Sequence, residues 1–146
     1  MTMRTPVCLA LSAIVMLGGC NNVESKSQFR VRAAVQSGIS STMDAIHRDM
    51  VKLADSPSVD LVSQGASEDS GPERVEVKRH WLLVSPDQSS PVKDKAALIS
   101  SCESILKEHV PPQSADPAAQ RYEAKVEDEK EGVRVSVVAR WNRASK

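Results

Sequence analysis

The chain has 146 residues, and its nineteen Lys and Arg balance nineteen Asp and Glu for a formal net charge of zero. Such a balance argues against a polyanionic partner, and no basic stripe points to nucleic acid. The length suits one domain, and aromatics at 3% leave little for stacking on a ligand once the core is served.

Residues 1–19 have the form of a targeting segment, which is excluded from the fold. Arg4 gives a positive start, and Val7 to Leu17 is apolar except for Ser12. At about 1.5 Å per helical residue this run is too short to cross a hydrocarbon core of about 30 Å. It ends in Leu17-Gly18-Gly19-Cys20. An ordinary secretory signal could use the small glycines for cleavage, but the cysteine after them resembles the lipobox of bacterial lipoprotein precursors. The resemblance covers only the first twenty residues and names no fold family. It implies that Cys20 receives a diacylglyceryl group on sulfur and, after cleavage, an acyl chain such as palmitate on its amino group. Two or three chains would hold the protein firmly, since each buried methylene contributes about 0.8 kcal/mol. In such lipoproteins an aspartate after the cysteine often retains the protein at the inner membrane. Asn21 stands there instead, so the resemblance implies the outer membrane, facing the periplasm, with the inner membrane as the alternative.

Removing Arg4 with the leader leaves eighteen Lys and Arg against nineteen Asp and Glu, a formal charge of −1. Cys8 leaves as well, and lipidation of Cys20 would leave only Cys102 as a free thiol. No intrachain disulfide is then available. Residues 20–28 read as the lipidated cysteine and a polar tether, and 29–146 as a single small α+β domain.

Gln28 to Ala54 reads as a helix. Ile39, Met43, Ile46, Met50 and Leu53 recur at alternating intervals of four and three, one apolar stripe. The stripe either covers the domain's own sheet or serves a partner, and it is too short for a coiled coil. His47 near Asp44 and Asp49 lacks further ligands at metal-site spacing, so no metal is expected. Ser56 to Pro72 is rich in Ser, Gly, Pro and acids, and reads as a flexible loop. Glu73 to Ser85 alternates as a strand, with Val75, Val77, Trp81 and Leu83 on one side and Arg79 misplaced among them. From Trp81 to Val84 both faces are apolar, which suggests cover on both sides or a contact surface.

Pro86 to Ser90 reads as a turn, with Ser90 as N-cap and Pro91 as first residue of a second helix. Val92, Ala96, Ile99, Cys102, Leu106 and Val110 form its apolar face, and Pro111-Pro112 ends it. Cys102 in that stripe is expected to be buried and unreactive, the alternative being an intermolecular disulfide. Gln120 to Asp128 and Val133 to Trp141 alternate as a hairpin, with Gly132 expected at positive φ. The predicted fold is therefore a three-stranded antiparallel sheet covered by one or two helices, in the order α-β-α-β-β. Its last strand should lie between the other two.

No nucleophile elbow, paired histidines or phosphate-cradling loop is present. His47, His80 and His109 fall on separate elements. No catalytic residue or cofactor is expected, and the chain reads as a non-enzyme. The expected role is binding or accessory, toward another envelope protein. The alternative is an immunity or inhibitor lipoprotein that neutralises a periplasmic toxin, effector or hydrolase. Candidate partner-binding residues are Arg134 and Arg140, on the outward side of the last strand, and Trp81.

Overall fold

The computed structural model describes residues 23–144. The leader and Cys20 lie outside the described residues. Two helices, α1 (Lys26–Ala54) and α2 (Lys95–His109), accompany four strands: β1 (Asp60–Gly71), β2 (Arg74–Val84), β3 (Arg121–Asp128) and β4 (Gly132–Asn142). The fold is α+β as expected. Its sheet has four strands rather than three, and its order is α1-β1-β2-α2-β3-β4 rather than α-β-α-β-β.

Helix α1 begins two residues before the expected start. Ser25 caps it by accepting from the Gln28 backbone N–H at 3.2 Å, while the Gln28 side chain accepts from Ser25 N–H at 2.9 Å. This capping box satisfies two of the helix's orphan donors. The stripe turns Ile39, Met43, Ile46 and Met50 into the core, each with no exposure. They pack in one hydrophobic cluster with both central strands and with Leu98, Cys102 and Leu106 of α2. The α1 stripe thus covers the chain's own sheet. Both helices lie on one face of it, and among the described residues the other face is open.

The segment read as a flexible loop, 56–72, contains β1. Its pairing with β2 runs from Asp60↔Val84 to Gly71↔Arg74, with a bulge between Leu61 and Ser63. Few apolar residues alternate here because β1 is an edge strand lying beyond the core. Its inward positions Glu68 and Ser70 meet polar groups of α1 instead. Gln36 bonds Glu68, and Arg32 donates to Ser70 Oγ at 2.9 Å. Main-chain pairing and these contacts hold β1 without a buried row of side chains.

All neighbours are antiparallel, in the order β1-β2-β4-β3. As the simplest topology predicts, β4 lies between β2 and β3. The β3–β4 turn closes through Glu129 N–H donating to Gly132 O at 2.9 Å and Gly132 N–H donating to Glu129 O at 3.2 Å. Among the described residues no glycine has positive φ, so the expectation for Gly132 fails. What requires glycine there is space: a Cβ would stand 1.9 Å from the Leu83 carbonyl oxygen.

Helix α2 starts four residues later than expected. Asp94, not Ser90, is its N-cap, accepting from Ala97 N–H at 3.2 Å with φ at 50°. Ser90 Oγ instead donates to Asp87 at 2.9 Å, closing the preceding turn. The later start shifts the face: Leu98 is buried, while Ala96 is exposed. Cys102 is buried and free, and burial pushes its thiol up to about 11. It stays protonated at neutral pH and carries little nucleophilic character.

Candidate functional site

The open face of the sheet carries the side chains that alternate away from the core. From β2 these are Glu76, Lys78, His80 and Leu82, and from β4 they are Arg134, Ser136, Val138 and Arg140. Register places Glu76 opposite Arg140, and Arg121 of β3 opposite Arg140 on the other side. Leu82 is opposite Arg134, which faces Glu127. The face is polar and mixed in charge, with Leu82 and Val138 as its half-buried apolar members.

Arg134 and Arg140 both point to this face, and neither is a free cation. Arg140 Nε donates to Glu76 at 2.7 Å, and its Nη1 pairs with Glu123 at 2.9 Å. Glu76 also accepts from Lys78 at 2.9 Å. These four residues form a ladder across β3, β4 and β2. Arg134 pairs with Glu129 at the hairpin turn. Such exposed pairs add little stability, but they fix the guanidinium groups in place.

Lys78 first, then Arg140, hold the Glu76 carboxyl down to about 2. Because this lies below the ordinary value of 4.5, the ladder's contribution is present above that pH and fades as pH falls toward 2. A carboxyl-carbon NMR titration should find Glu76 ionised well below pH 4. Replacing Lys78 and Arg140 together by Ala should return its midpoint toward 4.5. A wild-type midpoint already at that value would mean that the ladder does not form in solution.

His80 lies over Gly65 of the neighbouring strand, where a Cβ would meet its ring at 2.0 Å. The missing side chain gives the imidazole its place on the open face.

Trp81 is not on this face. It is 1% exposed and packs in the core, so a partner cannot reach its ring. Its indole N–H donates to His47 Nδ1 at 3.0 Å. An indole N–H only donates, so His47 must present an unprotonated Nδ1 there. His47, half-buried, therefore fixes Trp81. Trp141 is buried as well, donating to the Ala118 carbonyl at 3.1 Å. Arg79, which alternation put among apolar residues, reaches Asp44 of α1 at 2.8 Å.

A second cluster joins the helices. Asp49 of α1 lies with Glu108 and His109 of α2, their ligand-type atoms all within 4.8 Å. Asp49 shares a short bond with His109 Nε2 at 2.6 Å and another with Lys52 at 2.9 Å. His109 first, then Lys52, hold the Asp49 carboxyl below its usual range. These contacts account for the charge of Asp49 without an ion, and the cluster reads as a clasp between α1 and α2. Sequence spacing missed it because its members are 60 residues apart.

No family model matches this chain, and searches of curated proteins and of solved structures found no match.

Proposed function

We propose that this chain is a lipid-anchored envelope lipoprotein facing the periplasm, with a non-catalytic binding role. The observation that carries the reading is Leu17-Gly18-Gly19-Cys20, the lipobox pattern, placed five residues before the N-cap Ser25 of a folded domain. Asn21 after the cysteine favours the outer membrane over the inner one. Among the described residues no helix is long and apolar enough to cross a membrane, so attachment rests on Cys20 in this reading. The open sheet face is the contact surface, with Arg134 and Arg140 as its anchors, since arginine is favoured at interfaces.

Labelling cells with an alkyne analogue of palmitate tests the anchor. Wild-type protein should incorporate the label, and Cys20→Ala should lose it and accumulate as precursor. Normal cleavage and release of Cys20→Ala would overturn the reading. For the contact surface, crosslinking in intact cells should compare wild type with Arg134→Ala/Arg140→Ala. Alanine is preferable to charge reversal, because a glutamate at position 140 would join Glu76 and Glu123 in a cluster of three carboxylates. Unchanged capture by the folded double variant would move the contact off this face.

A further inference from the structure

Strand β3 is an edge of the sheet, and its outer rim of backbone groups has no neighbour among the described residues. Free edges of this kind accept another strand unless something blocks them. The side chains of β3 are ordered in a way that selects one such strand. Arg121, Glu123, Lys125 and Glu127 stand on the open face, opposite Arg140, Val138, Ser136 and Arg134. Tyr122, Ala124 and Val126 stand on the helix-covered face, opposite Ala139, Val137 and Val135. Charge along the open side thus alternates plus, minus, plus, minus.

We propose that β3 pairs with β3 of a second copy of this chain, antiparallel about a two-fold axis at Ala124. The axis puts Ala124 against Ala124 of the other copy. Arg121 then faces Glu127, and Glu123 faces Lys125, each pair occurring twice. Every charged pair across the seam is of opposite sign. Tyr122 faces Val126 on the other side of the seam.

The register is specified as well as the partner. A shift by one residue would turn the charged side of one copy onto the apolar side of the other. A shift of the axis by one position, to residue 123 or 125, keeps the faces aligned but opposes like charges. With the axis at 123, Glu123 meets itself and Arg121 meets Lys125. With the axis at 125, Lys125 meets itself and Glu123 meets Glu127. Like charges directly opposite are destabilising, so only the axis at Ala124 satisfies all the charges.

The apolar side supplies a second, independent observation. An open groove of about 490 Å³ runs between the end of α2 and β3, lined by Leu106, Val110, Pro112, Ala124 and Val126 together with Glu103 and Lys107. Ala124 is exposed although it points to the side that carries the core. The groove beside the last turn of α2 leaves it uncovered. A strand added at the seam brings its own Tyr122, Ala124 and Val126 to that groove. Two four-stranded sheets become one of eight strands, with both grooves at the centre.

This inference does not depend on the lipid anchor, and its test removes the anchor. The full chain carrying Cys8→Ser and Cys20→Ser should sediment as a monomer–dimer equilibrium. Lys125→Glu should weaken the dimer roughly tenfold, because it opposes Glu123 twice. Adding Glu123→Lys should restore it, because the opposite pairs return in swapped form, while Arg140 loses Glu123 but keeps Glu76 as its partner. Circular dichroism checks that each variant is folded. In the same background Ala124→Cys should form an intermolecular disulfide under mild oxidation. Facing residues in antiparallel strands have Cα atoms about 4.5 or 5.5 Å apart, within the range that a disulfide spans. A cysteine at Glu108, away from the seam, should crosslink far less. A chain that stays monomeric at millimolar concentration would overturn the proposal and leave the edge to a different protein. Dimerisation by Lys125→Glu equal to that of the parent would overturn it too.

Discussion

Deleting residues 26–54 should leave a chain with no cooperative thermal transition. Helix α1 contributes Ile39, Met43, Ile46 and Met50, all fully buried. Burial of each such side chain is worth about 1.5–3 kcal/mol, so the four together supply about 6–12 kcal/mol. A domain of this kind has a net stability of only about 5–15 kcal/mol. The loss would extend beyond the helix itself. Trp81 would lose the acceptor His47, and Arg79 would lose Asp44. With no intrachain disulfide among the described residues, nothing covalent would hold the remaining sheet together. Circular dichroism against temperature and urea is the measurement. A truncated chain that melts as sharply as the full one, at the same temperature, would show that the helix is dispensable to its own domain.

Gly132→Ala should lower the melting temperature by on the order of 5–10 °C. The added methyl would meet the Leu83 carbonyl oxygen at 1.9 Å and the Leu83 carbonyl carbon at 2.9 Å. Both are backbone atoms within the β2–β4 ladder and cannot swing aside. Either the ladder opens at Gly132↔Val84 or β4 shifts. Overpacking of this kind costs about 1–3 kcal/mol. Gly65→Ala offers the contrast. Its methyl would meet only the His80 ring, which can rotate off the strand. That variant should lose less, and His80→Ala should remove most of its loss. Melting curves for Gly132→Ala, Gly65→Ala, His80→Ala and the Gly65→Ala/His80→Ala double variant check the pair of expectations. Equal losses at the two glycines would mean that rigidity of the obstructing atoms does not set the cost.

The helices and the three strands with apolar alternation were legible because their period matches the face that they bury. Strand β1 was not, and the reason lies in its inward residues. Gln64, Ala66, Glu68 and Ser70 carry no apolar signal, since Arg32 and Gln36 of α1 meet the last two with polar groups. A strand held mainly by its ladder leaves no periodic trace in composition. The start of α2 was misread because Ser90-Pro91 is an acceptable cap locally, while Asp94 takes the role with a left-handed backbone. Trp81 was read as a contact residue because both faces of the strand turn apolar from Trp81 to Val84. Pairing with β1 and β4, and the cover of α1, bury it. The outward direction of Arg134 and Arg140 followed from alternation alone. Their partners did not, since Glu76 and Arg140 are 64 residues apart in sequence.

Arg143 gathers one end of the molecule to a point. Its guanidinium donates to the Pro72 carbonyl at 2.9 Å and to the Gln28 carbonyl at 3.2 Å, and lies 3.6 Å from Glu24. The start of α1, the β1–β2 turn and the end of β4 therefore share one pole. If Cys20 carries lipid, the five residues from it to Ser25 reach at most about 18 Å, and this pole is the one moored to the bilayer. The β3–β4 turn, with Glu129, Lys130 and Glu131, crowns the opposite pole. The eleven residues of β2 separate the two by about 35 Å. If that mooring holds, the Glu129-Lys130-Glu131 turn is the part of β2 and β4's long axis that lies farthest from the bilayer, with Glu129 held by Arg134 and Asp128 by Lys95.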